Sequence, residues 1–191
     1  LSFPEILMPV KIMADLGARL IIFTCAVGGI CEDLYAGEIV VIKDHLNLTG
    51  YAPLRGIGER WGKERFIDMT NAYSPELINC AWKEAHGQGF DLRQCVYAGV
   101  AGPCYETPAE ISMINRLGGD VVGMSLVSEV MMTRYLGIDV LAFCCVTNVH
   151  KSGHKVSHNE VVKTADESID SLGKLIKGCA GRYIRTETYA E

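Results

Sequence analysis

Short apolar runs alternate along this chain with segments whose apolar residues have helical spacing, and this alternation is the feature that most constrains the fold. The runs are rich in β-branched and aromatic residues, as buried strands are. They predict strands at residues 20–24, 38–43, 95–100, 120–124 and 140–147. Because strands that alternate with helices pack into a sheet covered by helices, the sequence predicts an α/β fold with a mixed central β-sheet flanked by helices.

Proline and glycine mark the predicted helix boundaries. Pro75 and Pro108 each begin a helix, since proline is well tolerated in the first turn. Further helices are predicted at residues 9–16, 129–136 and 158–176, the last with a capping box formed by Ser157 and Glu160. Residues 49–69, rich in Gly, Arg and Pro, predict a long functional loop. Because no internal repeat or linker is evident, residues 1–191 are predicted to form a single domain.

Composition limits the partners of the chain. Charged residues make up 21% of it, the net charge is −5, and no basic face is concentrated enough for nucleic acid. The longest apolar run, at residues 140–146, is too short to span a bilayer, and the N-terminus lacks a signal-peptide pattern. We therefore expect a cytoplasmic protein that binds neither nucleic acid nor a membrane.

Neither the cysteines nor the histidines have the spacing of a metal site. The eight cysteines form no Cys-x-x-Cys pair, so we expect reduced, partly buried thiols. His150, His154 and His158 are spaced by four residues, but the intervening Ser-Gly pair favours a loop over one continuous helix. We expect no metal.

Four predicted strand ends carry small, polar or unusual residues, at residues 25–29, 102–107, 124–125 and 147–148. Ligands of open α/β sheets bind beyond the carboxyl ends of the strands, so these residues are candidates for a site. Each candidate also has a plain structural interpretation: a turn at Gly28, a helix-start charge at Glu106, a helix cap at Ser125, a turn at Asn148 and a surface position for His158.

The same strand ends, in the same order, resemble segments of the trimeric purine nucleoside phosphorylases. Residues 25–29 (Cys-Ala-Val-Gly-Gly) resemble the Asn-Ala-Ala-Gly-Gly segment of that family, and residues 101–107 (Ala-Gly-Pro-Cys-Tyr-Glu-Thr) resemble its Gly-Pro-x-Phe/Tyr-Glu-Thr signature. Similar stretches occur at residues 43–48, 53–66, 71–73, 120–125, 147–148 and 157–158. Agreement of several spaced motifs in order is more specific than any one of them.

The resemblance implies a fold like that of the nucleoside phosphorylases and a pentosyl transfer used in purine salvage. Such enzymes cleave the N-glycosidic bond of a purine nucleoside with phosphate, which is a co-substrate, and they need no cofactor. Glu106 is then expected to hold the purine N1–H, and Asn148 to bond around N7 and O6. An asparagine at this position, in place of an aspartate, implies 6-oxopurine nucleosides such as inosine and guanosine.

The resemblance also implies roles for six further residues: Tyr105 packs on the base or sugar, Met124 lies under the ribose, His158 lies near the ribose 5′-hydroxyl, Ala26 and Ser125 face phosphate, and Phe66 completes the site of a neighbouring subunit. The last role implies a homotrimer.

Some family features do not occur in this sequence. The glycine-rich phosphate loop and an Arg-x-His-x-Tyr-Glu-Gly segment belong before Leu1, so we expect an N-terminally truncated phosphorylase fold with very slow phosphorolysis. Cys25 occupies an asparagine position, Ser128 a proline position, and the loop before His158 is short. The alternative is therefore a non-catalytic purine-binding or structural homologue that has lost the phosphate site.

Overall fold

The computed structural model describes residues 3–55, 66–150 and 158–188. In these ranges it contains strands β1 (Leu20–Gly29), β2 (Ile39–Asn47), β3 (Arg93–Gly99), β4 (Val121–Gly123) and β5 (Asp139–Val149). Each corresponds to a predicted strand, and β1 and β2 run several residues beyond the predicted ends. The extension of β1 places Gly28 inside a strand, so the interpretation of this glycine as a turn residue is wrong.

The helices of the same ranges are α1 (Phe3–Asp15), α2 (Pro75–Gly87), α3 (Pro108–Arg116), α4 (Val127–Tyr135), α5 (His158–Glu167) and α6 (Ile169–Thr188). The prediction of one helix over residues 158–176 is wrong, because α5 and α6 are separated at Ser168. The buried Ser168 hydroxyl bonds the Thr164 carbonyl at 3.2 Å, a local bond that competes with regular helix geometry. The predicted cap at Ser157 and residues 56–65 of the predicted loop lie outside the described residues.

The sheet is mixed, as predicted, and it closes into a barrel in the order β1-β4-β3-β2-β5. β1 is parallel to β5, β2 to β3 and β3 to β4, whereas the β1–β4 and β2–β5 pairs are antiparallel. β5 therefore has a neighbour on each side, and Val140 to Val146 are buried throughout. Burial on both faces is why this strand has a continuous apolar sequence.

Among the described residues, three apolar clusters hold the helices on the barrel, and two of them join pairs of helices. In the larger cluster, α2 and α6 pack together over the sheet through Ile78, Ala81 and Leu175. In the smaller one, Val10 of α1 packs with Met132 of α4. Burying one such side chain contributes about 1.5–3 kcal/mol. In the described part of the chain, no helix is both long and apolar enough to cross a membrane. The parallel pairing of β1 and β5 brings their carboxyl ends together at one edge, where the predicted site residues occur.

Candidate active site

A pocket of about 410 Å³ lies at this edge and contains most of the predicted site. Its lining includes six of the eight predicted residues, namely Ala26, Tyr105, Glu106, Met124, Ser125 and Asn148. They come from β1, from the segment before α3, from the end of β4 and from the end of β5. Residues more than 120 positions apart in the sequence are thus neighbours around one cavity.

The other two predicted residues are not among those that line this pocket. Phe66 has a relative exposure of 84% on its own chain, so its predicted role in a neighbouring subunit stays a prediction. His158 is the first residue of α5, but its side chain lies outside what the structure describes, and its contact with ribose also stays a prediction.

Asn148 presents an unused hydrogen-bond donor in the pocket. It lies within β5, so its interpretation as a turn residue is wrong. Its Oδ1 atom lies 3.2 Å from the Thr147 hydroxyl, whereas its Nδ2 atom is buried and has no hydrogen-bond partner among the described residues. A buried unpaired donor costs about 1–3 kcal/mol, and such a cost is typical of a group that bonds a ligand.

Glu106 contributes a sheltered carboxylate, with a side-chain exposure of 6%. Glu106 directly precedes the N-cap of α3, and Thr107 and Glu110 make the cap between them. The Thr107 hydroxyl accepts from the Glu110 amide at 3.3 Å, and the Glu110 carboxylate accepts from the Thr107 amide at 2.7 Å. The Thr-x-x-Glu spacing signals this capping box in the sequence. Glu106 is therefore not needed to start the helix and lines the pocket instead.

His150 is a site residue that the sequence analysis did not assign to the pocket. Its Nε2 atom lies 3.7 Å from Glu106 Oε2, and its amide donates to the Gly29 carbonyl at 2.9 Å. Burial lowers the pKa of His150 below its ordinary value, and the Glu106 carboxylate opposes part of that effect. The imidazole is therefore neutral at pH 7. The available signal was strand periodicity, because residues 148 and 150 point to the same side of an extended chain.

Gly28 explains how the ring of His150 fits. A Cβ atom on Gly28 would lie 2.6 Å from His150 Nε2 and 3.4 Å from Asn148 Nδ2. Glycine leaves room here for the His150 ring, which would have to move if residue 28 carried a side chain.

The turn after β4 is held by hydrogen bonds to the Tyr97 side chain. The buried Tyr97 hydroxyl donates to the Ser125 carbonyl at 3.0 Å and accepts from the Ser125 amide at 3.1 Å. The N-cap of α4 is Leu126, with φ of 72° and no side-chain cap bond, so the interpretation of Ser125 as a helix cap is wrong. Met124 packs against Gly102, whose φ of +67° and lack of a side chain leave room for the thioether.

Cys25 forms part of the pocket wall on β1. Its sulfur lies 2.7 Å from that of Cys144, its partner in the parallel β1–β5 pair. Burial raises the pKa of the Cys144 thiol, so that the thiolate is disfavoured. The described cysteines are all free thiols.

Residues 4–180 match the Phosphorylase superfamily. The chain is 40% identical over 168 residues to purine nucleoside phosphorylase 1 of Geobacillus stearothermophilus, covering 87% of this chain and 61% of that protein. It is 42% identical over 177 residues to the purine nucleoside phosphorylase of Mycobacterium tuberculosis, covering 92% and 62%.

Among solved structures, Schistosoma purine nucleoside phosphorylase in complex with hypoxanthine superposes with a TM-score of 0.90 at 34% identity. That match covers 94% of this chain and 68% of the other. The chain thus spans 61% to 68% of the length of these relatives. Matching sequence over nearly the whole chain, together with a matching fold, establishes that the chain belongs to the phosphorylase superfamily, among the purine nucleoside phosphorylases.

Proposed function

We propose that this chain binds 6-oxopurine nucleosides, such as inosine and guanosine, and transfers their ribosyl group to phosphate. The observation that carries the proposal is the pairing, in one pocket, of the unpartnered Asn148 Nδ2 donor with the Glu106 carboxylate. A donor and an acceptor on neighbouring walls complement the edge of a 6-oxopurine, which offers both an N–H group and acceptor atoms.

The base would be read as follows. Its N1–H donates to Glu106, and its O6 and N7 atoms accept from the Asn148 amide, which has two hydrogens. A 6-aminopurine would instead turn an N–H donor toward the Asn148 donor. The similar Schistosoma structures hold hypoxanthine, inosine, guanosine and also adenosine, so both classes of purine should be compared on this chain.

The chemical step would use the same contacts. A phosphate oxygen bonds to C1′ of the ribose as the C1′–N9 bond breaks, and the electron pair of that bond goes to the purine. The purine becomes negatively charged, and the ribose has oxocarbenium character in the transition state. Asn148 would donate to the developing charge in a sheltered site, where one donor is worth about 10²–10³ in rate.

The remaining side chains would position the sugar and the phosphate. Met124 would lie beneath the ribose and Tyr105 beside the base or sugar, since both line the pocket next to Glu106. Ala26, within β1, and Ser125, just after β4, would face phosphate. His158, at the start of α5, would reach the 5′-hydroxyl.

We also infer a homotrimer in which Phe66 serves the neighbouring subunit. Its 84% exposure on its own chain is compatible with burial against another copy. We assign the protein to the cytoplasm, because a set of free thiols suits a reducing compartment. The proposed reaction would place it in purine salvage.

The first test is inosine phosphorolysis by the 191-residue chain, followed as hypoxanthine release with and without phosphate. It is run beside a calorimetric titration with hypoxanthine. We expect phosphate-dependent release, and loss of binding in Glu106→Ala. Asn115→Ala, on an exposed position of α3, is the control and should behave like the parent. Absence of both binding and release would contradict the proposal.

The second candidate is a purine-binding homologue without catalysis. Cys25 favours it, because its thiol lies against Cys144, within β1, at a position where the family that the chain resembles has an asparagine. Hypoxanthine binding without phosphate-dependent release would support this candidate over the phosphorylase.

A further inference from the structure

The pocket contains a polar side chain, His150, that the proposed reading of the base does not use. It lies two residues after Asn148, at the end of the strand that supplies the amide donor. Its side chain is only 12% exposed, so the ring belongs to the pocket wall and not to the outer surface.

The contact between His150 and Glu106 is close to a hydrogen bond. The 3.7 Å between Nε2 and Oε2 exceeds the usual N–H···O limit by about 0.5 Å. The terminal torsion of a glutamate is broad, so a small rotation of the carboxylate closes this gap without a change of rotamer. Among the described residues, His150 is the basic side chain within 4 Å of the Glu106 carboxylate.

His150 also has contacts with the end of β1. Its backbone is bonded to Gly29, and Nε2 lies over the backbone of Gly28, where no side chain intervenes. The described groups that can ionise around it are the Glu106 carboxylate, the Cys25 thiol and the Tyr105 phenol, all in the same pocket wall. Glu106 is the group whose charge acts on the imidazole, and burial keeps that imidazole neutral at pH 7.

We propose that His150 is a positioning residue for base recognition: its Nε2–H bonds one oxygen of the Glu106 carboxylate and turns the other oxygen to the base. This inference rests on the proposed function, because it assigns to Glu106 the purine N1–H. A carboxylate has two oxygens and can accept from both donors at once. His150 thus acts on the substrate through Glu106 and not by direct contact.

A double-mutant cycle on hypoxanthine affinity tests this role, measured by calorimetry at pH 7. The variants are His150→Ala, His150→Gln, Glu106→Gln and the double variant His150→Ala/Glu106→Gln. Loss of a hydrogen bond to a charged group should weaken hypoxanthine binding by about 10- to 100-fold in His150→Ala. His150→Gln keeps a side-chain N–H and should recover most of that loss.

The Glu106→Gln background separates positioning from simple wall packing. A glutamine side chain carries one oxygen and one NH2 group, so it cannot turn one oxygen to His150 and a second oxygen to the base. In that background we expect His150→Ala to change the affinity by less than about twofold, because the coupling it removes is already gone. A packing role would give the same loss in both backgrounds.

Three outcomes decide the matter. Equal losses in both backgrounds, or no loss in His150→Ala, would overturn the role of His150 while leaving the proposed function in place. Failure of the parent chain to bind hypoxanthine would overturn the proposed function, and this inference with it. The control is His86→Ala, an exposed histidine that stacks on Trp82 in α2 away from the pocket, which should bind hypoxanthine as the parent does.

Discussion

Individual side chains in the pocket are arranged so that a donor and an acceptor line one cavity. Asn148 has its oxygen near the Thr147 hydroxyl, and its nitrogen is left without a partner among the described residues. Glu106 is nearly buried beside His150, yet the helix that follows does not require its charge. Buried polar groups without full hydrogen bonding reduce the stability of the fold, and they remain available to bond a ligand.

Asn148→Asp tests which atoms of the base are read. A carboxylate replaces the Nδ2 donor with an acceptor, so it should repel O6 and accept from a 6-amino group. We expect hypoxanthine affinity to fall by about 10- to 100-fold and adenine affinity to rise, both measured by calorimetry. Asn115→Asp on α3 is the matched control. An unchanged ratio of the two affinities would contradict the role of Asn148.

Gly28→Ala tests the close approach of the pocket side chains to β1. The added Cβ would lie 2.6 Å from His150 Nε2, so the flexible ring should move away from Glu106. We expect hypoxanthine affinity to fall about tenfold, because the contact of His150 with Glu106 is lost. The free energy of unfolding should change by less than about 1 kcal/mol, because the ring can move.

Gly173→Ala is the control for that substitution. It lies in α6 with nothing within 4 Å of the added atom, and alanine should stabilise the helix by about 0.5–1 kcal/mol. Unaltered hypoxanthine binding in Gly28→Ala would show that the position of His150 does not matter.

At the scale of elements, the start of α3 fixes the backbone beside Glu106. The capping box of Thr107 and Glu110 begins directly after Glu106, so the hydrogen bonds that start the helix also hold the residue next to this carboxylate. The turn after β4 is held in a similar way by the Tyr97 hydroxyl. Both supports are local hydrogen bonds adjacent to a pocket residue.

Thr107→Ala should loosen this support. Loss of an N-cap side chain costs about 0.5–2 kcal/mol, which urea unfolding would detect as a lower midpoint. Because Glu106 is the preceding residue, we also expect a severalfold weaker affinity for hypoxanthine by calorimetry. Thr107→Ser keeps the hydroxyl and should preserve both properties. Equal stability of the alanine and serine variants would show that the capping box does not support the helix start.

At the scale of the whole molecule, burial of neutral histidines links stability to pH. Burial lowers the pKa of His45, whose Nδ1 lies 3.0 Å from the buried Tyr73 hydroxyl, and burial lowers the pKa of His150 as well. Below the unfolded value of about 6.5, the unfolded chain takes up protons that the folded chain does not. The contribution of these two histidines to the free energy of unfolding is therefore complete above that pH and is lost as the pH falls below it.

We expect the free energy of unfolding, measured by urea unfolding, to decrease between pH 7 and pH 5, by at most about 1.4 kcal/mol per pH unit for each of the two groups. His45→Gln cannot become protonated and can still bond Tyr73, so its acid loss should be smaller than that of the parent. The same acid loss in both proteins would show that His45 does not contribute to this dependence.

Much of the fold followed from the sequence for a simple reason. β5 is buried on both faces, so its apolar run identified a strand without any knowledge of its neighbours. Pro75 and Pro108 marked the starts of α2 and α3 because proline fits the first helical turn irrespective of packing. The break at Ser168 was missed, since it depends on bonds to Thr164 and to the distant Gly37 carbonyl.

By itself, the sequence determined the order of strands and helices and the strand ends that bear Glu106 and Asn148, because strand burial and helix starts act over a few residues. Only the tertiary structure decided that the sheet closes into a barrel, that Asn148 has an unpaired nitrogen and that His150 meets Glu106. These features depend on the pairing of β1 with β5 and on the close approach permitted by Gly28. Contacts between residues far apart in the chain leave no periodic pattern in it, so they become evident only once the strands are paired.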